Sequence, residues 1–149
     1  MDIAFVDQTT FGEFIASLGN PSCTYTFTIE PLKGPAIIDY SLHVAYGFIA
    51  HAQDTKPNFE KRVLTADDRT IMAKIITSNL ADMEANWEPI EKIQVSDCEL
   101  ETNPEYVGVA EPGDTVVLIA FEVHGQHFNG LLNVCYPYKT LEPVLSKFN

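Results

Sequence analysis

His124-Gly125-Gln126-His127 is the segment most suggestive of chemistry, because two imidazoles three residues apart can share a metal ion when a helix holds them on one face. Here they flank a glycine in a connection between two strand-like runs. No cysteine, aspartate or third histidine lies close in sequence. They are read as surface loop histidines, and no metal site is expected. His43 and His51 fall on a helix and at its end.

Nucleophilic catalysis needs a serine, cysteine or threonine with a base in reach, and no Gly-x-Ser-x-Gly elbow is present. Ser41 is explained as a helix cap. Glu99 and Glu101 share one strand face, a spacing that can serve acid–base catalysis. More often such a pair is a solvated strand edge, whose charge also resists aggregation. Gly34, Gly47, Gly108, Gly113, Gly125 and Gly130 each stand alone, so no phosphate-cradling loop exists. Trp87, the single tryptophan, continues an apolar helical stripe and is assigned to the core. No catalytic residue and no cofactor are expected, and the chain is read as a non-enzyme.

The elements that would position these residues are bounded by composition. The 149 residues are 46% hydrophobic and 20% charged, values of one globular domain. Asp and Glu number 21 against 9 Lys and Arg, a net charge of −12. That sign opposes binding to nucleic acid and to anionic membrane surfaces. Cys23, Cys98 and Cys135 are odd in number and lack metal-knuckle spacing, which points to a reducing compartment. The N-terminus has no signal-peptide pattern, and no apolar run is long enough to span a membrane.

Along the chain, Ile3 to Val6 reads as a short buried strand. Asp7-Gln8-Thr9-Thr10 supplies N-cap candidates for a helix over Phe11 to Leu18, which Gly19-Asn20-Pro21 ends. Cys23, Tyr25, Phe27 and Ile29 alternate with threonines, the period of a half-buried strand. After the Lys33-Gly34-Pro35 turn, Ala36 to Tyr40 returns as its partner. Ser41 caps a helix to about Ala52, and Gln53 to Lys61 is a polar loop. Thr65 caps the longest helix, whose stripe runs Ile71, Met72, Ile75, Ile76, Leu80, Met83 and Trp87 before Pro89. Strands follow over Glu91 to Glu101, Tyr106 to Ala110, Thr115 to Val123 and Leu131 to Tyr136. A last helix spans Pro137 to Lys147.

Two stretches repeat one order. Thr24 to Ala50 and Thr115 to Lys147 each read strand, turn, strand, helix, and each follows another strand. The long helix precedes the second unit, and nothing precedes the first. The pattern predicts a pseudo-twofold domain over residues 1–149, with half-units 1–60 and 61–149, lacking its first long helix. An exposed apolar patch is expected near the first strand.

Several phrases occur in order: Val6-Asp7-Gln8-Thr9-Thr10-Phe11-Gly12-Glu13-Phe14-Ile15, Asn20-Pro21-Ser22, Leu32-Lys33-Gly34-Pro35-Ala36, Ala85-Asn86-Trp87, Glu101-Thr102-Asn103-Pro104, and Asn133 to Val144 with its Pro-Tyr-x-x-Leu-Glu-Pro ending. Together they resemble the middle domain of the flagellar switch protein FliM, over nearly the whole chain. The resemblance implies an α/β fold of three layers, α/β/α, shared with the CheC-type phosphatases.

It also implies a non-enzymatic interaction module of the motor switch in the rotor's cytoplasmic ring. Such a module links the FliG middle domain and neighbouring FliM copies, at the cytoplasmic face of the inner membrane in the flagellar basal body. It helps transmit the signal of phosphorylated CheY. The family's Gly-Gly-x-Gly contact loop is replaced by Phe48-Ile49-Ala50-His51-Ala52-Gln53-Asp54, without glycine, so a contact with FliG here would use another geometry. Partner-binding residues are assigned to that helix end: His51, Gln53, Asp54 and Lys56. Two other readings stand beside this one. The first is a CheC-like phosphatase of phosphorylated CheY, for which Asp82 and Asn86 are four apart rather than in the family's spacing. The second is a chemotaxis-related paralogue that does not bind FliG.

Overall fold

The structure, a computed structural model, describes residues 2–126 and 128–148. Strand β1 (Asp2–Thr10) leads into helix α1 (Phe11–Ser17), where the Thr10 side chain accepts the Glu13 N–H. The hairpin β2 (Cys23–Glu30) and β3 (Gly34–Tyr40) follows, then α2 (Leu42–Ala52). Ser41 accepts the Val44 N–H and starts α2. The longest helix, α3 (Ala66–Trp87), opens on a capping box in which Thr65 and Asp68 satisfy each other's backbone N–H. Strand β4 (Gln94–Glu101), a 3₁₀ turn (Pro104–Tyr106), the hairpin β5 (Thr115–His124) and β6 (Asn129–Pro137), and α4 (Tyr138–Leu141) complete the chain, with 3₁₀ structure over Glu142–Phe148.

The six strands form one sheet in the order β1-β5-β6-β3-β2-β4, every neighbouring pair antiparallel. The order is palindromic: the first strand of each repeat crosses over to pair with the hairpin of the other. Each edge ladder carries one register irregularity, between Ile3 and Phe5 in β1 and between Thr26 and Thr28 opposite β4. Asp97, at the second irregularity, is left-handed with φ 54°. The repeat read from sequence is therefore a feature of the sheet.

Helices α2 and α3 cover one face of the sheet and bury Tyr25, Phe27, Ile38, Tyr40 and Val134. On the other face, α1 and the run after the 3₁₀ turn bury Ile37, Val116 and Cys135 with Phe11, Phe14 and Val107. These are the three expected layers. Each large apolar side chain so buried contributes about 1.5–3 kcal/mol.

Three expectations change. Tyr106 to Ala110 is not a strand: Asn103 accepts the Glu105 N–H and Pro104 opens a 3₁₀ turn. That segment stands where α1 stands in the first half, with Val107 packed beside Phe11 and Phe14. Pro137 to Lys147 is not one helix, because α4 ends at Leu141 and Pro143 has no N–H to continue it. The first strand is longer than expected and is not buried, since it pairs only with β5 and stands at the edge. Ile3 and Val6 are each 62% exposed, which supplies the expected apolar patch near that strand.

Candidate partner-binding surfaces

Helix α2 ends abruptly. The Gln53 N–H closes on the Ile49 carbonyl at 3.1 Å, Asp54 N–H on His51 at 3.2 Å, and Thr55 N–H on Ala50 at 2.9 Å. Asp54 takes a left-handed backbone, φ 55°, to make this turn. The loop beyond is tied down at its far end: Tyr46 Oη accepts the Arg62 N–H and donates to the Arg62 carbonyl, both at 2.9 Å. The Arg62 guanidinium lies 4.9 Å over the Tyr46 ring and pairs with Asp68. Burial raises the Asp68 carboxyl, but bonds from Thr65 and Arg62 outweigh it and hold the group below the usual carboxylate range. His43 stacks on Phe59 at 3.8 Å.

The tip of the β5–β6 hairpin closes over this helix end. Phe128 sits on the bare backbone of Gly47, and its ring meets Phe48 edge-on at 5.7 Å. A cleft of about 80 Å³ results, lined by His51, Asp54 and Thr55 from the helix end and by Gln126 and Phe128 from the hairpin. Of the residues assigned from sequence, His51 and Asp54 share this cleft, and Gln53 and Lys56 stand exposed on the same loop. Phe128, Gln126 and Gly47 were not among the assigned residues. The bulky aromatic at a hairpin tip was the available signal.

A second concavity, about 380 Å³, runs between α3 and strands β5 and β6. Ile119, Phe121, Leu132 and Val134 form its floor, and Met83 and Trp87 its wall. Trp87 Nε1 donates to Tyr136 Oη at 3.1 Å, and Tyr40 Oη donates to Asn79 Oδ1 at 2.5 Å. Ile3 and Val6 extend the floor, in register with Phe121 and Ile119. The groove lies where the palindromic sheet would place a counterpart of α3.

The features that suggested chemistry separate. His124 ends β5, with Nε2 3.3 Å from Glu122 and Nδ1 3.3 Å from Asn129, both exposed at the hairpin end of the strand. His127 lies outside the described residues. Among the described residues no His, Cys, Asp and Glu cluster could hold a metal ion. Glu101 spends its carboxylate on the Asn103 N–H at 3.0 Å, while Glu99 stays exposed. Asp82 and Asn86 are exposed on the rim of the groove.

The family model described as flagellar motor switch protein FliM matches residues 1–149. The FliM of Treponema pallidum is 31% identical over 149 residues, covering 99% of this chain and 43% of that protein. The FliM of Borreliella burgdorferi is 31% identical over 151 residues, with the same coverage. These relatives carry the name of a switch protein, not of an enzyme. The chain thus spans less than half the length of the curated relatives it matches.

The fold matches a crystal structure of the FliM middle domain from Vibrio alginolyticus with TM-score 0.87 at 23% identity, over 98% of this chain and 83% of that one. It matches a chain of the FliG–FliM complex from H. pylori with TM-score 0.91 at 22% identity, over 97% and 80%. Thermotoga maritima FliY matches with TM-score 0.82 at 10% identity, over 98% and 79%.

Proposed function

Because this chain belongs to the FliM family of flagellar motor switch proteins, we propose that it is a non-enzymatic interaction module of the motor switch whose α2-end surface contacts FliG. The observation that carries the reading is the joining of two elements distant in sequence. The Phe128–Gly47 contact fixes the hairpin tip against the helix end, so that His51 and Asp54 are presented on one preformed surface beside Gln53 and Lys56. Preformed surfaces lose little conformational entropy on binding. The solved FliG–FliM complex of H. pylori, whose chain has this fold, supports FliG as the partner class.

In this reading the chain acts as one domain with half-units 1–60 and 61–149. It stands beside neighbouring FliM copies at the cytoplasmic face of the inner membrane, and responds to phosphorylated CheY. The loop departs from the glycine pattern of the family, and the contact is made through side chains rather than by close backbone approach.

Site-directed crosslinking tests the surface. In a Cys98→Ser background, a photoreactive label at Gln53→Cys or Lys56→Cys should capture the FliG middle domain. A label at Glu111→Cys, at the opposite end of β5, should not. Capture from position 111 and not from 53 or 56 removes the proposed surface.

A further inference from the structure

Among the described residues, the two three-stranded halves of the sheet, β1-β5-β6 and β3-β2-β4, are joined at the β3–β6 ladder. It is the shortest antiparallel pairing in the molecule, with the four register pairs Ile37–Cys135, Ile38–Val134, Asp39–Asn133 and Tyr40–Leu132. One of these pairs is polar. Asp39 is 5% exposed, in the middle of the fold. The Thr24 hydroxyl donates to its Oδ1 at 2.8 Å, and Asn133 stands opposite it in register across the seam. Ser22 Oγ stands 2.9 Å from Thr24 Oγ1 and is itself buried. Among the described residues no cation pairs with Asp39.

We propose that Asp39 is a proton-dependent clasp at this seam: neutral, it holds the two halves together most firmly, and ionised, it loosens the β3–β6 ladder. Neutral, the carboxyl still accepts the Thr24 hydroxyl and brings no charge into the interior. An ionised carboxylate is an acceptor only and carries an uncompensated charge in an apolar interior. The site favours the neutral form, and burial pushes the Asp39 carboxyl up to about 6, against the opposing bonds from Thr24 and Asn133.

The groups facing Asp39 do not change this sign. Cys23, on β2, stays a thiol, pushed up to about 12 by burial and by the Asp39 charge. Glu101, on β4, lies in register with Thr24 and has its carboxylate on the Asn103 N–H. Asn133 and Ser22 do not titrate. A folded value above the unfolded one means that the stabilisation is full below about 4 and is lost as pH rises to about 6.

Hydrogen exchange of this chain at pH 5.0 and pH 7.5, corrected for intrinsic rates, tests the clasp. Amides of the β3–β6 ladder should lose about tenfold in protection between the two pH values. The Asp39→Asn chain should show no such change, which also separates the effect from titration of histidines. Equal seam protection at both pH values, or the same loss in Asp39→Asn, overturns the proposal. Should Asp39→Asn not fold, the carboxyl carbon shift of Asp39 in the unaltered chain decides: a midpoint near 6 upholds it, and one near 4 overturns it.

Discussion

Phe128 packs directly on Gly47: a Cβ placed at Gly47 would stand 2.4 Å from the carbons of the Phe128 ring, closer than any real contact. The glycine is thus required by packing, although it lies inside a helix where glycine ordinarily costs stability. The contact links the hairpin tip to the helix end and gives the proposed FliG surface its shape.

Gly47→Ala should therefore destabilise the fold in spite of its better helix propensity. The clash costs about 1–3 kcal/mol, offset by about 1 kcal/mol of helix propensity. Urea denaturation should show a net loss, and adding Phe128→Ala to Gly47→Ala should cost less than the sum of the two single changes. Strict additivity would mean that the two residues do not touch.

The three thiols should separate by reactivity. Cys23 and Cys135 are fully buried, with thiols pushed up to about 12, burial being the largest cause. Cys98 is exposed on edge strand β4. Since the thiolate is the reactive form, an aromatic disulfide reagent should titrate one thiol in the native chain and three in denaturant. Two or more rapid thiols in the native state would contradict the burial of β2 and β6.

Thr65→Ala removes the hydroxyl that accepts the Asp68 N–H at 3.1 Å. It should cost about 1 kcal/mol in denaturant unfolding. The Asp68 carboxylate, held below its ordinary range, contributes stability above the unfolded value and loses it as pH falls. The cost of removing its Arg62 partner, measured with Arg62→Met, should therefore shrink in acid. A cost that is constant from pH 7 to pH 3 would show that the ion pair does not shift Asp68.

Much of this fold was legible because local rules and the global sheet agree. Alternation over Cys23 to Ile29 placed β2 with its apolar face under α3. Thr65 and Pro89 bracketed α3, and the strand–turn–strand–helix repeat anticipated a sheet whose order is palindromic. Misread segments were those where a neighbour decides. Val107 and Val109 have strand-like composition, but they pack against Phe11 and Phe14 of α1 instead of joining the sheet.

Asp39 was hidden for a related reason. It lies in an apolar run, and only the register with Thr24 and Asn133 reveals a buried polar row. For the candidate surface, the polar loop at the end of α2 pointed to His51, Gln53, Asp54 and Lys56. Its cleft depends on Gly47 and Phe128, which stand 81 positions apart, too far for a local pattern to join them.

Calorimetric titration of this chain with the FliG middle domain tests the central claim most directly, once circular dichroism has shown the chain folded. The account predicts saturable binding, weakened at least tenfold by combined His51→Ala and Asp54→Ala substitution with the fold retained, equivalent to about 1.4 kcal/mol. A folded chain that gives no heat of binding, or one whose affinity is indifferent to both substitutions, would contradict it.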